Sequence, residues 1–253
     1  MFISLLTAKT ENAGFAVIES FALRLICVEP GYQRRGIGSA LLEEAESYVS
    51  RKGFDKLLTG GVSSEFLIGA DKAAEGFFEK KGFRCTGSRD ELMLRLDGYT
   101  FDESSFRGHE CAEYGLYSGS MDKLYKAVSE VNESRTKFFV GHEHIFTATV
   151  GGETASFCLV DTDVTNYLSD NFVRVGTPGC VWTVPRFRDR GIAIEMIARV
   201  TQYLKDCGMD ISFISGNTAQ PPADAFAGIA DRYKKLGYEV FMTEMFMEKQ
   251  LRA

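Results

Sequence analysis

A block of sequence occurs twice in this chain, and the repeat restricts the folds open to it. Residues 28–38 read Val-Glu-Pro-Gly-Tyr-Gln-Arg-Arg-Gly-Ile-Gly, and residues 183–193 read Thr-Val-Pro-Arg-Phe-Arg-Asp-Arg-Gly-Ile-Ala. The proline, an aromatic two residues on, Gln or Arg, an Arg just before Gly, then Ile and a small residue all coincide. Downstream of each block a second pair matches: Phe78-Glu79-Lys80-Lys81-Gly82-Phe83 and Tyr233-Lys234-Lys235-Leu236-Gly237-Tyr238. Two blocks in the same order at the same spacing indicate a duplicated domain rather than a chance match.

The chain has 253 residues, room for one large domain or two small ones. With 45% hydrophobic and 25% charged residues it is an ordinary globular sequence. A net charge of −6 argues against a nucleic-acid footprint. No apolar run approaches the ~20 residues of a membrane helix, and Met1–Leu6 lacks the basic start and apolar length of a signal peptide. The six cysteines are scattered without a CxxC pair, which predicts free thiols in a reducing cytoplasm.

Each copy reads as alternating strand and helix. In the first, Leu23–Val28 is a buried strand. Ile37, Leu41, Leu42, Ala45, Tyr48 and Val49 then recur at helical spacing up to Lys52, and Gly53 ends the helix. Leu57-Leu58 lies in the next strand. Asp71 caps a helix to Lys81, and Glu91–Leu96 closes the unit as a strand. In the second copy, Gly179–Val184 is the strand and Gly191–Cys207 the helix. Ile211–Ile214, Asp224–Leu236 and Glu239–Glu248 follow as strand, helix and strand. Upstream, Met121–Val131 is an amphipathic helix, and Ile145–Val150 with Thr154–Val160 flank a Gly-Gly turn as a hairpin. The first copy has room for only two short strands before Leu23, at Phe2–Leu6 and Phe15–Ser20. It lacks the opening elements of its own repeat, so its sheet ends at an edge that the second domain or another subunit is expected to cover. The expected class is mixed α/β, with a truncated domain at 1–98, a linker (or extra bridging strands) at 99–120 and a full domain at 121–253.

A strand running through a short Arg/Gly turn into a helix presents unpaired backbone N–H groups at a helix N-terminus, where the dipole favours an anion. Gly36 and Gly38, and in the second copy Gly191 and Ala193, let a phosphate approach the backbone. Gln33-Arg34-Arg35-Gly36-Ile37-Gly38 and Arg188-Asp189-Arg190-Gly191-Ile192-Ala193 resemble the Gln/Arg-x-x-Gly-x-Gly/Ala acetyl-CoA loop of the GNAT N-acetyltransferase superfamily. The segments around Phe78 and Tyr233 look like that family's second signature. The resemblance covers residues 15–97 and 121–250. It implies two GNAT-like domains, acetyl-CoA as co-substrate with no metal, and loop amides that grip the diphosphate. It also implies motif strands ending near Val28 and Val184 that pair with the pantetheine arm, and a polar residue near that arm at Asn217. Asp189 puts a negative charge beside the expected diphosphate, which Arg188 and Arg190 offset.

Acetyl transfer to an amine needs a neutral amine, a donor for the tetrahedral oxyanion and a proton for the leaving thiolate. In the family a Tyr of the second signature often gives that proton. Tyr233 holds this position; its counterpart is Phe78, which has no proton to give. The resemblance therefore places catalysis in the second domain. Many family members carry a Glu on the motif strand as base, but Arg24 and Gly179 stand there in this chain. Glu244 on the last strand is a candidate base, its ordinary reading being a surface charge. A backbone N–H near Val184 is the expected oxyanion donor. His142-Glu143-His144 lacks a third metal ligand, Trp182 reads as core, and Gly216–Ala225 reads as a loop over the acceptor cleft. The expected acceptor is a small-molecule primary amine, with a peptide amine or a non-catalytic acyl-CoA sensor as alternatives. Neither nucleic acid nor membrane is an expected partner, and a homodimer is.

Overall fold

A computed structural model of the protein describes residues 3–7, 13–60, 70–106, 111–162, 173–215 and 229–251. The class is the mixed α/β one read from the sequence, with parallel and antiparallel pairs in the sheet. The chain divides into two compact units. Met1–Glu91, Ser215–Ala227 and Val240–Ala253 form the first; Leu92–Ile214 and Gly228–Glu239 form the second. The units interleave along the chain, whereas the repeat copies at 1–98 and 121–253 are contiguous.

In the first unit β1 (Ile3–Thr7), β2 (Gly14–Glu19) and β3 (Ala22–Val28) form an antiparallel meander. Helix α1 (Ile37–Arg51) carries the chain back to β4 (Lys56–Thr59), which runs parallel to β3. The apolar spacing of α1 turns Leu41, Leu42, Ala45 and Val49 onto the sheet, against Ile18, Leu23 and Leu57. A two-residue strand, β5 (Ala70–Asp71), precedes α2 (Glu75–Lys80). Asp71 does act as a cap, accepting from the Ala73 N–H at 2.8 Å, but it caps a single 3-10 turn that leads into α2. The next strand, β6 (Arg84–Arg95), starts well before Glu91.

The strand beside β4 is β12 (Glu239–Gln250), from the far end of the chain. Its Met247, Glu248, Lys249 and Gln250 stand antiparallel to Thr59, Leu58, Leu57 and Lys56. Met245 and Met247 complete the core under α1. The strand that closes the second copy thus completes the first unit's sheet. At the other end of that sheet β1 pairs with β2, and among the described residues no strand pairs its outer edge.

In the second unit the strand order is β6, β11 (Ile211–Ser215), β10 (Val175–Thr183), β9 (Glu153–Asp161), β8 (Ile145–Val150) and β7 (Glu113–Leu116), with Leu92–Arg95 the share of β6 that belongs here. The amphipathic α3 (Met121–Asn132) and α4 (Ile192–Asp206) bury Leu124, Val128, Met196 and Val200 in one core with Phe139, Phe157 and Val160. The described residues of 99–120 pack onto this unit. Tyr99 donates to the Ala198 carbonyl at 3.0 Å, and the Phe101 N–H donates to Gln202 at 2.9 Å. Arg199 stacks over Phe101 and Tyr114 while pairing with Glu195 and Glu103. β7 then adds an edge strand to β8. Of the helix expected at Asp224–Leu236, α5 (Ile229–Lys234) lies within the described residues.

Candidate active site

Both repeated loops adopt the same backbone. After each motif strand comes a 3-10 turn, Pro30–Tyr32 or Pro185–Phe187. Gln33 Nε2 then donates to the Val28 carbonyl at 3.1 Å, and at the matching position Arg188 Nε donates to the Thr183 carbonyl at 3.2 Å. This explains why Gln and Arg are interchangeable there: either supplies one N–H that ties the loop to its strand. The next residues, Arg34 (φ 60°) and Asp189 (φ 62°), are left-handed, as are Gly36 (φ 83°) and Gly191 (φ 79°) at the caps of α1 and α4. Asp visits that region more easily than most residues, so Asp189 has a backbone reason as well as a charge. A Cβ on Gly36 would meet nothing within 4 Å. Glycine is required there by the dihedral, not by lack of space.

The first carbonyls of the two helices, Gly36 and Gly191, accept from Ala40 and Glu195. The first-turn N–H groups ahead of those residues have no helical partner. The loops thus place Ile37 and Gly38, and Ile192 and Ala193, in these first turns. Gln33, Arg34, Arg35, Arg188, Asp189 and Arg190 are all exposed around them. Arg190 bends back to the Arg186 carbonyl at 2.7 Å, over the Phe187 ring. Arg186 is itself held by Glu130 and Glu153.

Beside each loop the two parallel strands meet only briefly. β3 and β4 pair at Ala22–Leu58 and Leu23–Thr59; β10 and β11 pair at Val175–Ile211 and Gly176–Ser212. Among the described residues neither pairing continues toward the loop. Each motif strand is also bulged. Register is lost around Arg24 in β3 and between Gly179 and Trp182 in β10, where Cys180 takes φ 49°. A bulge frees backbone groups from the ladder and aims them elsewhere. Sequence reasoning missed both bulges and looked for the oxyanion donor near Val184. That N–H already donates to the Ala155 carbonyl at 2.9 Å, and Val184 is fully buried.

Tyr233 is buried among Leu92, Ile197, Ile214 and Tyr238. Its hydroxyl makes no hydrogen bond to a described residue, and burial pushes it up to about 12, so it holds its proton at neutral pH. Its counterpart Phe78 is packed edge-on between Phe77 and Phe83 as plain core. Arg24, where a carboxylate was sought, is paired with Glu19 at 2.6 Å. Glu244 is not a surface charge: it is 2% exposed and paired with Arg89. Asn217 lies outside the described residues, as does all of Gly216–Ala225. His142 bonds Asp161 at 3.0 Å, and among the described residues no group of three or more His, Cys, Asp or Glu could hold a metal. Nor is any described helix long and apolar enough to cross a membrane. Trp182 lies against the second unit's core as expected, and all six cysteines are free thiols.

Residues 1–92 match the family model described as acetyltransferase (GNAT) domain. The match covers the first part of the chain and supports an acyltransferase. Among solved structures, the fold resembles a GCN5-related glucosamine N-acetyltransferase region of a fungal multi-domain GH3 β-N-acetylglucosaminidase, at TM-score 0.63 and 19% identity over 94% of this chain. This chain spans only 31% of that protein. It is also similar to a GCN5-related N-acetyltransferase from Sphaerobacter thermophilus (TM-score 0.63, 17% identity, 96% of this chain and 78% of that one). A tandem GNAT protein from the clavulanic acid biosynthesis pathway aligns at TM-score 0.63 and 16% identity over 99% of this chain and 84% of that one. At these identities the likeness concerns the fold. No curated protein matches the sequence.

Proposed function

We propose that the protein is an acetyl-CoA-dependent N-acetyltransferase that modifies the primary amine of a small molecule by direct transfer, with the chemistry in the second unit. The observation that carries this reading is Tyr233, a buried, protonated hydroxyl at the position where the family resemblance calls for an acid. The loop amides around Gly191 hold the diphosphate, and the loop end of β10, beyond its pairing with β11, receives the pantetheine arm. The bulge at Cys180 donates to the thioester oxygen as it gains negative charge. The neutral amine attacks the carbonyl carbon, the C–N bond forms and the C–S bond breaks. Tyr233 protonates the departing thiolate and recovers a proton from the amine by way of solvent. Free thiols throughout the chain support a cytoplasmic setting, and the open edge of β1 supports pairing with a second copy.

A second reading draws on Phe78. With no acid on its α2, the first unit holds acyl-CoA without turnover. The deciding experiment follows thiol release from acetyl-CoA with a panel of primary amines, including a peptide N-terminus. Turnover by the wild type that falls at least tenfold in Tyr233→Phe supports the enzyme reading. Saturable acetyl-CoA binding with no turnover on any amine supports the sensor.

A further inference from the structure

Arg135 is a cation of the second unit that the loop chemistry does not use. It lies on the 3-10 stretch Glu133–Phe138 that follows α3, which Asn132 caps by accepting from the Ser134 N–H at 3.0 Å. The residue is half-buried. Its guanidinium carbon stands 5.5 Å from the centre of the Phe138 ring and 5.6 Å from that of Trp182. Trp182 belongs to β10, the strand that runs into the second loop. Cys180 sits at the bulge of the same strand; burial raises its thiol, and the charge of Arg135 pulls it back down.

Among the described residues no carboxylate pairs with Arg135 and no oxygen accepts from its N–H groups. The nearby acids are engaged elsewhere. Asp161, the other charge acting on Cys180, bonds His142 at 3.0 Å, and Glu130 on α3 pairs with Arg186. Arg186 and Arg199 of the same unit each hold two carboxylates, so Arg135 stands apart from them. A cation over a ring face is attracted by the ring itself, without an oxygen partner. Two such rings position the side chain and leave it a planar fork of donors that matches a carboxylate. A fork already held in place loses little freedom when a ligand docks. Lys137, 5.2 Å from the same Phe138 ring, keeps the local charge positive in a chain of net charge −6. Phe138 is 43% exposed and offers apolar surface next to the head group.

We propose that Arg135, held over Phe138 and Trp182, receives the carboxylate of a small organic acid with an apolar body. The carboxylate takes two parallel N–H bonds from the guanidinium, and the apolar body lies against Phe138. For the reaction proposed above, this narrows the acceptor to amines that also carry a carboxylate. That narrowing rests on the transferase reading; the carboxylate site does not.

The test is fluorescence titration of the full-length protein with 4-methylpentanoate at neutral pH, with 4-methylpentanamide as the uncharged isostere. Trp182 is the only tryptophan of the chain, so the signal comes from the site itself. A saturable change is expected with the acid, and a midpoint at least tenfold higher with the amide. Arg135→Gln should raise the midpoint for the acid at least tenfold. Arg135→Lys should recover only part of the loss, because an ammonium keeps the charge and not the fork. Lys137→Gln, which alters only the local field, should stay within about threefold of the wild type. If Arg135→Gln fails to fold, the acid–amide difference in the wild type and Arg135→Lys carry the test. Equal midpoints for acid and amide, an unchanged midpoint in Arg135→Gln, full affinity in Arg135→Lys, or no saturable change at tens of millimolar acid overturns the proposal. Thiol release from acetyl-CoA with leucine and leucinamide then separates this site from the transferase reading. Leucine should be preferred at least tenfold in kcat/KM, and Arg135→Gln should erase the preference. Turnover without that preference overturns the narrowing and leaves the transferase reading. Carboxylate binding without turnover on any amine upholds the site and contradicts the transferase reading.

Discussion

Replacing Glu91 by glutamine should make the protein more stable at pH 8 and change it little near pH 4. Burial is the largest influence on this carboxyl, raising it from 4.5 to about 7 against the pull of Arg89 and Ser215. The folded chain therefore holds the proton more tightly than the unfolded chain. The stabilising contribution of the protonated form is complete below pH 4.5 and is lost as pH rises to about 7. At ~1.4 kcal/mol per tenfold, the loss amounts to about 3 kcal/mol by pH 8. Glutamine has nearly the same shape and no charge to desolvate, so it escapes that loss at every pH. Urea unfolding followed by circular dichroism at pH 5 and pH 8 reads the effect. The gain should be about 1 kcal/mol at pH 5 and about 3 kcal/mol at pH 8, a rise of roughly 1 M in the pH 8 midpoint. A variant less stable than the wild type at pH 8, or an equal gain at both pH values, refutes the reasoning.

Other expectations follow from the same packing. Tyr233→Phe should lower kcat by about 10²-fold or more and leave the acetyl-CoA dissociation constant unchanged; because the hydroxyl titrates only near 12, it should contribute no alkaline limb to the wild-type pH–rate profile below pH 10. Tyr238→Phe removes a hydroxyl bonded to Ser212 at 2.7 Å and Thr201 at 2.8 Å, both fully buried. It should cost about 2 kcal/mol in thermal or urea unfolding. Arg199→Ala removes the clamp on Phe101, Tyr114 and Glu103; limited proteolysis should then cut within residues 98–106 faster than in the wild type.

The loops were legible because their constraints fall on residue type at fixed spacing: a glycine at a left-handed cap, and one N–H donor to tie the loop to its strand. The helices α1, α3 and α4 were legible from their apolar stripes. Three features were not. The closing strand of the second copy reads correctly as a strand at Glu239–Glu248, but nothing local says that Met247 will pair with Thr59 rather than within its own copy. β6 starts at Arg84 because its polar first half is held by β12 through pairs such as Thr86 with Phe246, so no apolar alternation marks it. The buried charges at Glu91 and Glu244 run against the rule that carboxylates face water, and only tertiary structure reveals them. The Gly, Ser, Tyr and Glu content of 99–120 reads equally as a linker or as extra strands; the contacts of Phe101 and Tyr114 with Arg199, far along the chain on α4, are not legible locally.

The account rests on the two loops being acyl-CoA sites, and titration of acetyl-CoA into the wild type, Gly36→Glu, Gly191→Glu and the double variant tests this most directly. Alanine at the same two positions controls for the left-handed dihedral, which costs any non-glycine residue about 1–2 kcal/mol. The wild type should bind saturably, Gly191→Glu should remove the second unit's site, and the double variant should not bind, while the alanine controls stay folded. Acetyl-CoA binding that survives in the double variant, or no binding by the wild type, would contradict the assignment of these loops.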